Sequence, residues 1–317
     1  MSDLPKRVHI SEEGPREGFQ FEKGEIPTAR KIALIDALAQ TGLDQIQIVS
    51  FVNPKAVPGM ADAEQVVHGI TPKPDVAYTA LWLNDKGFER ALRENRLTLK
   101  GTIQLAASEK FLLRNQNRNL AQQLAGQQAI VDMYKANGVP VERGSVMAAF
   151  GCNFEGDVPV ERVVALVGQI LDVAKEHGAT LSYITLADTM AWATPLAIKR
   201  TVGALRDKWP DVDFALHLHD TRGMAIANAY AGLEMGVTRF DSSVAGLGGC
   251  PFAGHKGAAG NVCTEDLVFM CNELGIETGI DLDALIECAR LAEEVVGHPL
   301  PGSVMKGGTL ERFRRES

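Results

Sequence analysis

Eight short runs rich in valine, isoleucine and leucine recur along the 317 residues, each followed by a stretch of helical period. The strand-like runs are Val8–Glu13, Gln45–Phe51, Val76–Leu83, Thr98–Ala107, Gly144–Phe150, Leu181–Ala187, Phe214–His219 and Arg239–Ala245. The helix candidates between and after them are Thr28–Thr41, Ala63–Ile70, Lys86–Glu94, Asn119–Asn137, Val160–His177, Pro195–Lys208, Met224–Met235 and Cys263–Leu274. Glycine punctuates the helix ends at Gly42, Gly138, Gly178 and Gly236, as a left-handed C-terminal turn requires. A strand that always returns through a helix pairs in parallel, because a parallel neighbour needs a long crossover. Eight such strands close a barrel and leave no free edge, so an α/β fold of the TIM (β/α)8 type is expected. A doubly wound open sheet is the alternative, and no Gly-x-Gly-x-x-Gly follows the first strand to support it. The eight units use residues 1–280 as one catalytic domain. Asp281–Val296 then reads as a C-terminal helix, and the extension 281–317 ends in a polar, loose tail from Lys306.

Composition excludes several function classes. The chain is 45% hydrophobic and 23% charged, as an ordinary globular protein is. Lysine and arginine total 32 against 40 acidic residues, a net charge of −8 that opposes nucleic-acid binding. No run approaches the ~18 apolar residues of a membrane span, and the first residues lack a signal peptide's apolar centre. The five cysteines form no Cys-x-x-Cys pair, which fits reduced thiols in the cytoplasm.

In a barrel of this kind, chemistry sits at the C-terminal ends of the strands and in the loops that follow. His217 and His219 stand two apart near the end of a strand, so both rings project to one face. Paired imidazoles there suit a divalent metal, and two hydrogen-bonded core histidines are the structural alternative. After the first strand comes Gly14-Pro-Arg-Glu-Gly18, read as a turn. Arg16 offers a planar charged fork to an oxyanion and Glu17 a hard oxygen to Mg²⁺ or Mn²⁺, although such a pair is often only a solvated turn. The glycine-rich stretch Gly246–Asn261 can fold over a ligand, and Cys250 within it can act as acid or base. Asn261 can supply a metal oxygen or cap the following helix. Asp188 and Thr189 end strand six, where the aspartate can orient a water or cap a helix. Gln47 lies where its side chain can touch Arg16. Cys152 reads as incidental.

Together these segments resemble the 3-hydroxy-3-methylglutaryl-CoA (HMG-CoA) lyase family of metal-dependent TIM-barrel lyases. The resemblance runs from Gly14-Pro-Arg-Glu-Gly-Phe-Gln20 through Ser50-Phe-Val-Asn-Pro-Lys55, Ala187-Asp-Thr189 and His217-Leu-His-Asp-Thr221. It continues over Asp241–Phe252, Gly260-Asn261 and Thr264–Leu267. It implies a Mg²⁺ or Mn²⁺ held by Glu17, His217, His219 and Asn261. It also implies that Arg16 polarises a thioester carbonyl and that Cys250 takes part in proton transfer. The chemistry further needs a general base, for which Asp188, His217 or a bound water is the candidate. Gln20, Gln47, Ser50, Asn53, Lys55, Thr189 and Lys256 would contact an acyl-CoA substrate across the barrel mouth.

Three departures bear on the substrate. The family's lyases usually carry Asp where Glu17 stands and Glu where Gln47 stands, which leaves Arg16 short of a charge partner. The stretch between Cys250 and Asn261 is about two residues longer, through Gly254-His255-Lys256. The reaction implied is a metal-assisted retro-Claisen cleavage of a branched 3-hydroxyacyl-CoA, such as HMG-CoA, to acetyl-CoA and an oxo acid. Citramalyl-CoA is an alternative substrate. A condensing synthase related to isopropylmalate synthase and a non-catalytic metabolite-binding barrel are alternative functions. A homodimer is the expected assembly, with Asp281–Val296 covering the barrel or forming the dimer contact.

Overall fold

The computed structural model describes Leu4–Gly249 and Gly260–Arg314. Its strands in chain order are β1 His9–Glu12, β2 Gln45–Ser50, β3 Ala77–Leu81, β4 Gly101–Ala106, β5 Val141–Met147, β6 Tyr183–Asp188, β7 Phe214–Leu218 and β8 Arg239–Ser242. All eight belong to one sheet in the order β3-β2-β1-β8-β7-β6-β5-β4. Each strand's neighbours are thus its neighbours in sequence, with β8 beside β1. A separate short hairpin pairs Gly151–Cys152 with Gly156–Asp157.

The chain divides into two compact units. One holds Leu99–Phe240; the other holds Lys6–Thr98, Asp241–Gly249 and the chain from Gly260 onward. In the first unit β4, β5, β6 and β7 pair in parallel, with Ile103 opposite Gly144, Ser145 opposite Thr185 and Leu186 opposite Leu216. Helix α7, Val160–Glu176, buries Val163, Leu166, Val167, Ile170, Val173 and Ala174 at helical spacing. It stops at His177, followed by Gly178 with φ +66°.

On β4, the amides of Gly101 and Ala107 point to the neighbouring strand side, donating to Pro140 and Met147. Those of Gln104 and Ala106 point the other way. Side chains from α6, Leu120–Ala136, accept them, Gln127 Oε1 from Gln104 at 2.7 Å and Gln123 Oε1 from Ala106 at 2.9 Å. Buried amides need such partners.

In the second unit β1, β2 and β3 pair in parallel, with Glu12 opposite Ile46 and Gln47 opposite Thr79. Helix α2, Thr28–Leu38, buries Leu34, Ile35 and Leu38. Helix α11, Leu282–Val296, starts at Asp281, whose carboxylate accepts the Ala284 amide at 3.1 Å, and ends at Gly297 with φ +76°. Its apolar face, including Leu285, Ile286, Ala289 and Ala292, is buried within its own unit. Helix α11 thus covers its own chain rather than offering that face outward. Part of the expected loose tail is anchored as well: Val304–Gly307 is a helical turn, and Arg314 pairs with Glu273 at 2.7 Å.

Two strand ends differ from the sequence pattern for one reason. The fifth strand begins at Val141, earlier than Gly144, and stops at Met147 because Ala148 takes φ +53°. The eighth stops at Ser242, and the chain turns through Ala245 at φ +56°. Left-handed alanines break the strand although their composition continues it. No helix among the described residues is long and apolar enough to cross a membrane.

Candidate functional site

The segment Gly14–Phe21 is a two-turn helix, α1, rather than the turn expected from its glycines. Pro15 at its start suits a helix opening, since proline's missing amide has no partner to lose there. The preceding Glu12 locks this start in place. Its buried carboxylate accepts from the amides of Gly14 at 2.6 Å and Val244 at 2.9 Å, and from the Thr264 hydroxyl at 2.6 Å. Three segments distant in sequence are thereby joined through one side chain. Burial pushes the Glu12 carboxyl up to about 7 against the pull of those three donors. Gly14 is required here, because a Cβ would lie 2.5 Å from Glu12 Oε1.

Arg16 is buried and held on three sides. Nε donates to Gln47 Oε1 at 2.5 Å, Nη1 to Glu17 Oε1 at 2.7 Å, and Nη2 to Glu13 Oε2. Gln47 therefore reaches Arg16 as its position in β2 predicts. The expectation that Arg16 lacks charge compensation is corrected: Glu13 and Glu17 both pair with it, and Asp241 adds to the negative field. A guanidinium carries five N–H donors, so three bonds leave one on each terminal nitrogen. Glu13 was not singled out from the sequence; the signal was an acidic pair at the end of a strand, three residues before an arginine.

On the same unit, Asn261 donates from Nδ2 to Ser243 Oγ at 3.0 Å. Its Oδ1 is buried and has no hydrogen-bond partner among the described residues. The helix that follows, α10 Thr264–Glu273, starts at Cys263 without a side-chain cap, so Asn261 does not serve as that cap. Gly248 takes φ +102°, and a Cβ there would come within 3.2 Å of Glu17 Cβ. Glycine lets the chain pass close over Glu17.

Ser50 donates to Gln20 Oε1 at 2.9 Å, which orients both. Asn53 Oδ1 accepts the Lys55 amide at 3.0 Å, and both residues are exposed.

In the other unit, His217 and His219 are buried at the end of β7, and their Nε2 atoms lie 3.2 Å apart. Two imidazole nitrogens converging this closely cannot both carry a proton without repulsion, a geometry suited to shared ligation. Asp188 ends β6. Its Oδ1 accepts the amides of Trp192 at 2.7 Å and Ala193 at 3.1 Å, while Oδ2 is buried with no partner among the described residues. Burial raises this carboxyl to about 7. The cap of the next helix, α8 Pro195–Lys208, is Thr194, so Asp188 is free of that duty.

Thr189 Oγ1 accepts the Ala148 amide at 2.9 Å. Cys152 is buried and accepts from Ser108 at 3.0 Å, a packing role. Cys250 and Lys256 lie outside the described residues. Of the four non-glycine residues with positive φ among the described residues, three (Ala148, Ala191 and Ala245) sit just beyond the C-terminal ends of β5, β6 and β8. Such strain gathers where loops are built for function.

One unit thus offers the Glu17 carboxylate and the Asn261 amide oxygen, and the other offers the His217 and His219 imidazoles. Each is a donor type that a divalent cation of the Mg²⁺ or Mn²⁺ class accepts. The partnerless Asn261 oxygen is the observation that a cation would explain, since buried oxygens are normally satisfied.

Comparison with known proteins agrees with this chemistry. The profile of the HMGL-like family, which is metal-dependent, matches residues 7–292. The mitochondrial hydroxymethylglutaryl-CoA lyase of Gallus gallus is 42% identical over 285 residues, covering 90% of this chain and 92% of that protein. The crystal structure of the Bacillus subtilis HMG-CoA lyase superimposes with a TM-score of 0.87 at 37% identity, covering 99% of this chain and all of the other. An Acinetobacter baumannii HMG-CoA lyase, solved with coenzyme A and 3-methylmalate, matches with a TM-score of 0.86 at 40% identity, covering 98% and 97%. The fold is the TIM (β/α)8 barrel with a C-terminal helical extension that the eightfold alternation predicts. From β1 to α11, the chain belongs to the HMGL-like family.

Proposed function

We propose that the protein is a carbon–carbon lyase acting on a branched 3-hydroxyacyl-CoA of the HMG-CoA type. The observation that carries the reading is the buried guanidinium of Arg16, fixed by three acceptors with one N–H left on each terminal nitrogen. A fork so held meets charge that develops on a thioester oxygen without having to reorganise. Relatives at about 40% identity act on HMG-CoA, and one was solved with coenzyme A and a hydroxy diacid.

In the reaction, the C3 hydroxyl loses its proton and the C2–C3 bond breaks. Its electron pair becomes a thioester enolate, and C3 becomes the carbonyl of the oxo acid. Protonation of the enolate carbon then gives acetyl-CoA. Asp188, with a buried free oxygen and a carboxyl near neutrality, suits the base, and His217 is its neighbour in charge. Arg16 steadies the enolate oxygen. Cys250, by the resemblance, returns the proton.

Glu17, His217, His219 and Asn261 are the proposed metal donors. The cation, when bound, lowers the hydroxyl's pKa and fixes the substrate's oxygens. Gln20, Ser50, Asn53, Lys55, Thr189 and Lys256 are proposed contacts for the acyl-CoA. Residues 1–280 form the proposed catalytic domain and 281–317 its extension. A cytoplasmic homodimer completes the reading; Cys152, Cys263, Cys271 and Cys288 are buried and form no disulfide among the described residues.

The test is a coupled assay for acetyl-CoA release over a panel of 3-hydroxyacyl-CoAs, HMG-CoA and citramalyl-CoA included, with and without EDTA. Release that EDTA abolishes supports the reading. No release from any member overturns it, and incorporation of labelled acetyl-CoA into an acid points to a synthase.

A further inference from the structure

Arg16 works only if its guanidinium is kept in one orientation. Gln47 Oε1 accepts from Nε at 2.5 Å, which supplies direction but no charge. Glu17 pairs with Nη1 at 2.7 Å, yet its carboxylate is also a proposed metal donor, so its charge is shared.

The remaining terminal nitrogen is taken by Glu13, which is 2% exposed. Glu13 immediately precedes α1, and Arg16 is three residues on, so one helical turn brings the carboxylate under the guanidinium. A carboxylate this deeply buried is stable only beside a cation. Arg16 thus offsets the burial of Glu13, and Glu13 holds one terminal nitrogen of Arg16. Glu12 fixes the backbone on which both stand, through its bonds to Gly14, Val244 and Thr264.

We infer that Glu13, from the start of α1, is the positioning residue of Arg16 in this chain. The inference rests on the role of Arg16 proposed above. The carboxylate at 13 anchors the guanidinium by charge at Nη2. The side that faces Gln47 is left with a neutral contact.

The experiment compares Glu13→Gln, Glu13→Gln/Gln47→Glu and Arg16→Met in the metal-loaded full-length protein, using the best substrate of the panel. Glu13→Gln is expected to lower kcat about 10- to 100-fold with KM changed less than about threefold, the size of loss seen when a reacting group is slightly misplaced. Adding Gln47→Glu is expected to restore most of that loss. A role confined to the start of α1 would not be rescued from β2, so the rescue separates positioning from folding. A Glu13→Gln variant with wild-type kcat, while Arg16→Met is inactive, overturns the inference and leaves the role of Arg16 standing. A folded double variant no better than Glu13→Gln overturns it too. Should neither Glu13 variant fold, Glu13 is a stability residue and the inference falls. Arg16→Met with near-normal kcat removes the reading on which it rests.

Discussion

Asn261 donates from Nδ2 to Ser243 Oγ at 3.0 Å, and this bond decides which end of the amide is left unoccupied. With the nitrogen engaged, the buried oxygen keeps its lone pairs and has no hydrogen-bond partner among the described residues. Ser243→Ala removes that control. Side chains that orient a metal ligand are worth about 10- to 100-fold in affinity. Ser243→Ala is expected to weaken Mn²⁺ binding by about tenfold or more, measured by calorimetric titration, with the unfolding midpoint little changed. Unaltered Mn²⁺ affinity would remove Asn261 from the ligand set.

Arg16→Met tests the centre of the proposed chemistry. Losing a preorganised donor to a developing oxyanion costs on the order of 10²–10³ in kcat. The substitution also leaves Glu13 and Glu17 without their cation, so some stability is lost with it. The assay is therefore run at a temperature where circular dichroism shows the variant folded. A folded Arg16→Met enzyme at near-normal rate contradicts the assignment.

Glu17 reaches one methylene further than an aspartate would from the same position. Glu17 Oε1 is already held by Arg16, and Gly248 passes close to its side chain. Glu17→Asp shortens the reach and is expected to shift preference toward HMG-CoA among the panel substrates. The ratio of kcat/KM values reads the shift; an unchanged ratio means that Glu17 does not set specificity.

The barrel was legible because its signal is repeated eight times, an apolar run followed by a helical stretch, and because glycines such as Gly42, Gly138, Gly178 and Gly236 mark helix ends. The histidine pair was legible because strand alternation fixes where Leu216, His217, Leu218 and His219 point. Helix α1 was not, because Gly14, Pro15 and Gly18 read as a turn, and only Glu12 gripping the Gly14 and Val244 amides shows why a helix starts there. Glu13 was missed for a related reason. Its partner is visible in sequence, but its burial depends on packing. The early ends of β5 and β8 follow from left-handed Ala148 and Ala245, which no alanine preference announces.

Those alanines supply a stability prediction. Ala191 holds φ +55° between Asp188 and α8, a conformation that costs a non-glycine residue on the order of 1 kcal/mol. Ala191→Gly removes the strain, although it adds freedom to the unfolded chain. The expected result is a gain of up to about 1 kcal/mol in denaturant unfolding. A loss of stability would mean that the methyl's packing outweighs the backbone strain.

Glu265 and Glu12 make stability depend on pH. Glu265 is fully buried; Oε2 accepts the Ala245 amide at 2.9 Å, and Oε1 has no partner among the described residues. Burial raises its carboxyl to about 8 and that of Glu12 to about 7, both from an ordinary value of 4.5. Between about pH 5 and each raised value, the native state holds a proton that the unfolded chain has released. Stability is then greatest at the acid end of this window and falls as pH rises, by up to about 1.4 kcal/mol per pH unit for each group. Asp188, raised to about 7 from 3.8, adds to the decline below pH 7 as Glu12 does. Above pH 7 the slope belongs mainly to Glu265. Glu265→Gln keeps an acceptor for Ala245 but cannot ionise, so it is expected to flatten the decline between pH 7 and 8 while leaving the portions due to Glu12 and Asp188. Urea unfolding at half-unit pH steps measures both slopes; parallel curves for the two proteins would show that Glu265 is already ionised in the native state at neutral pH.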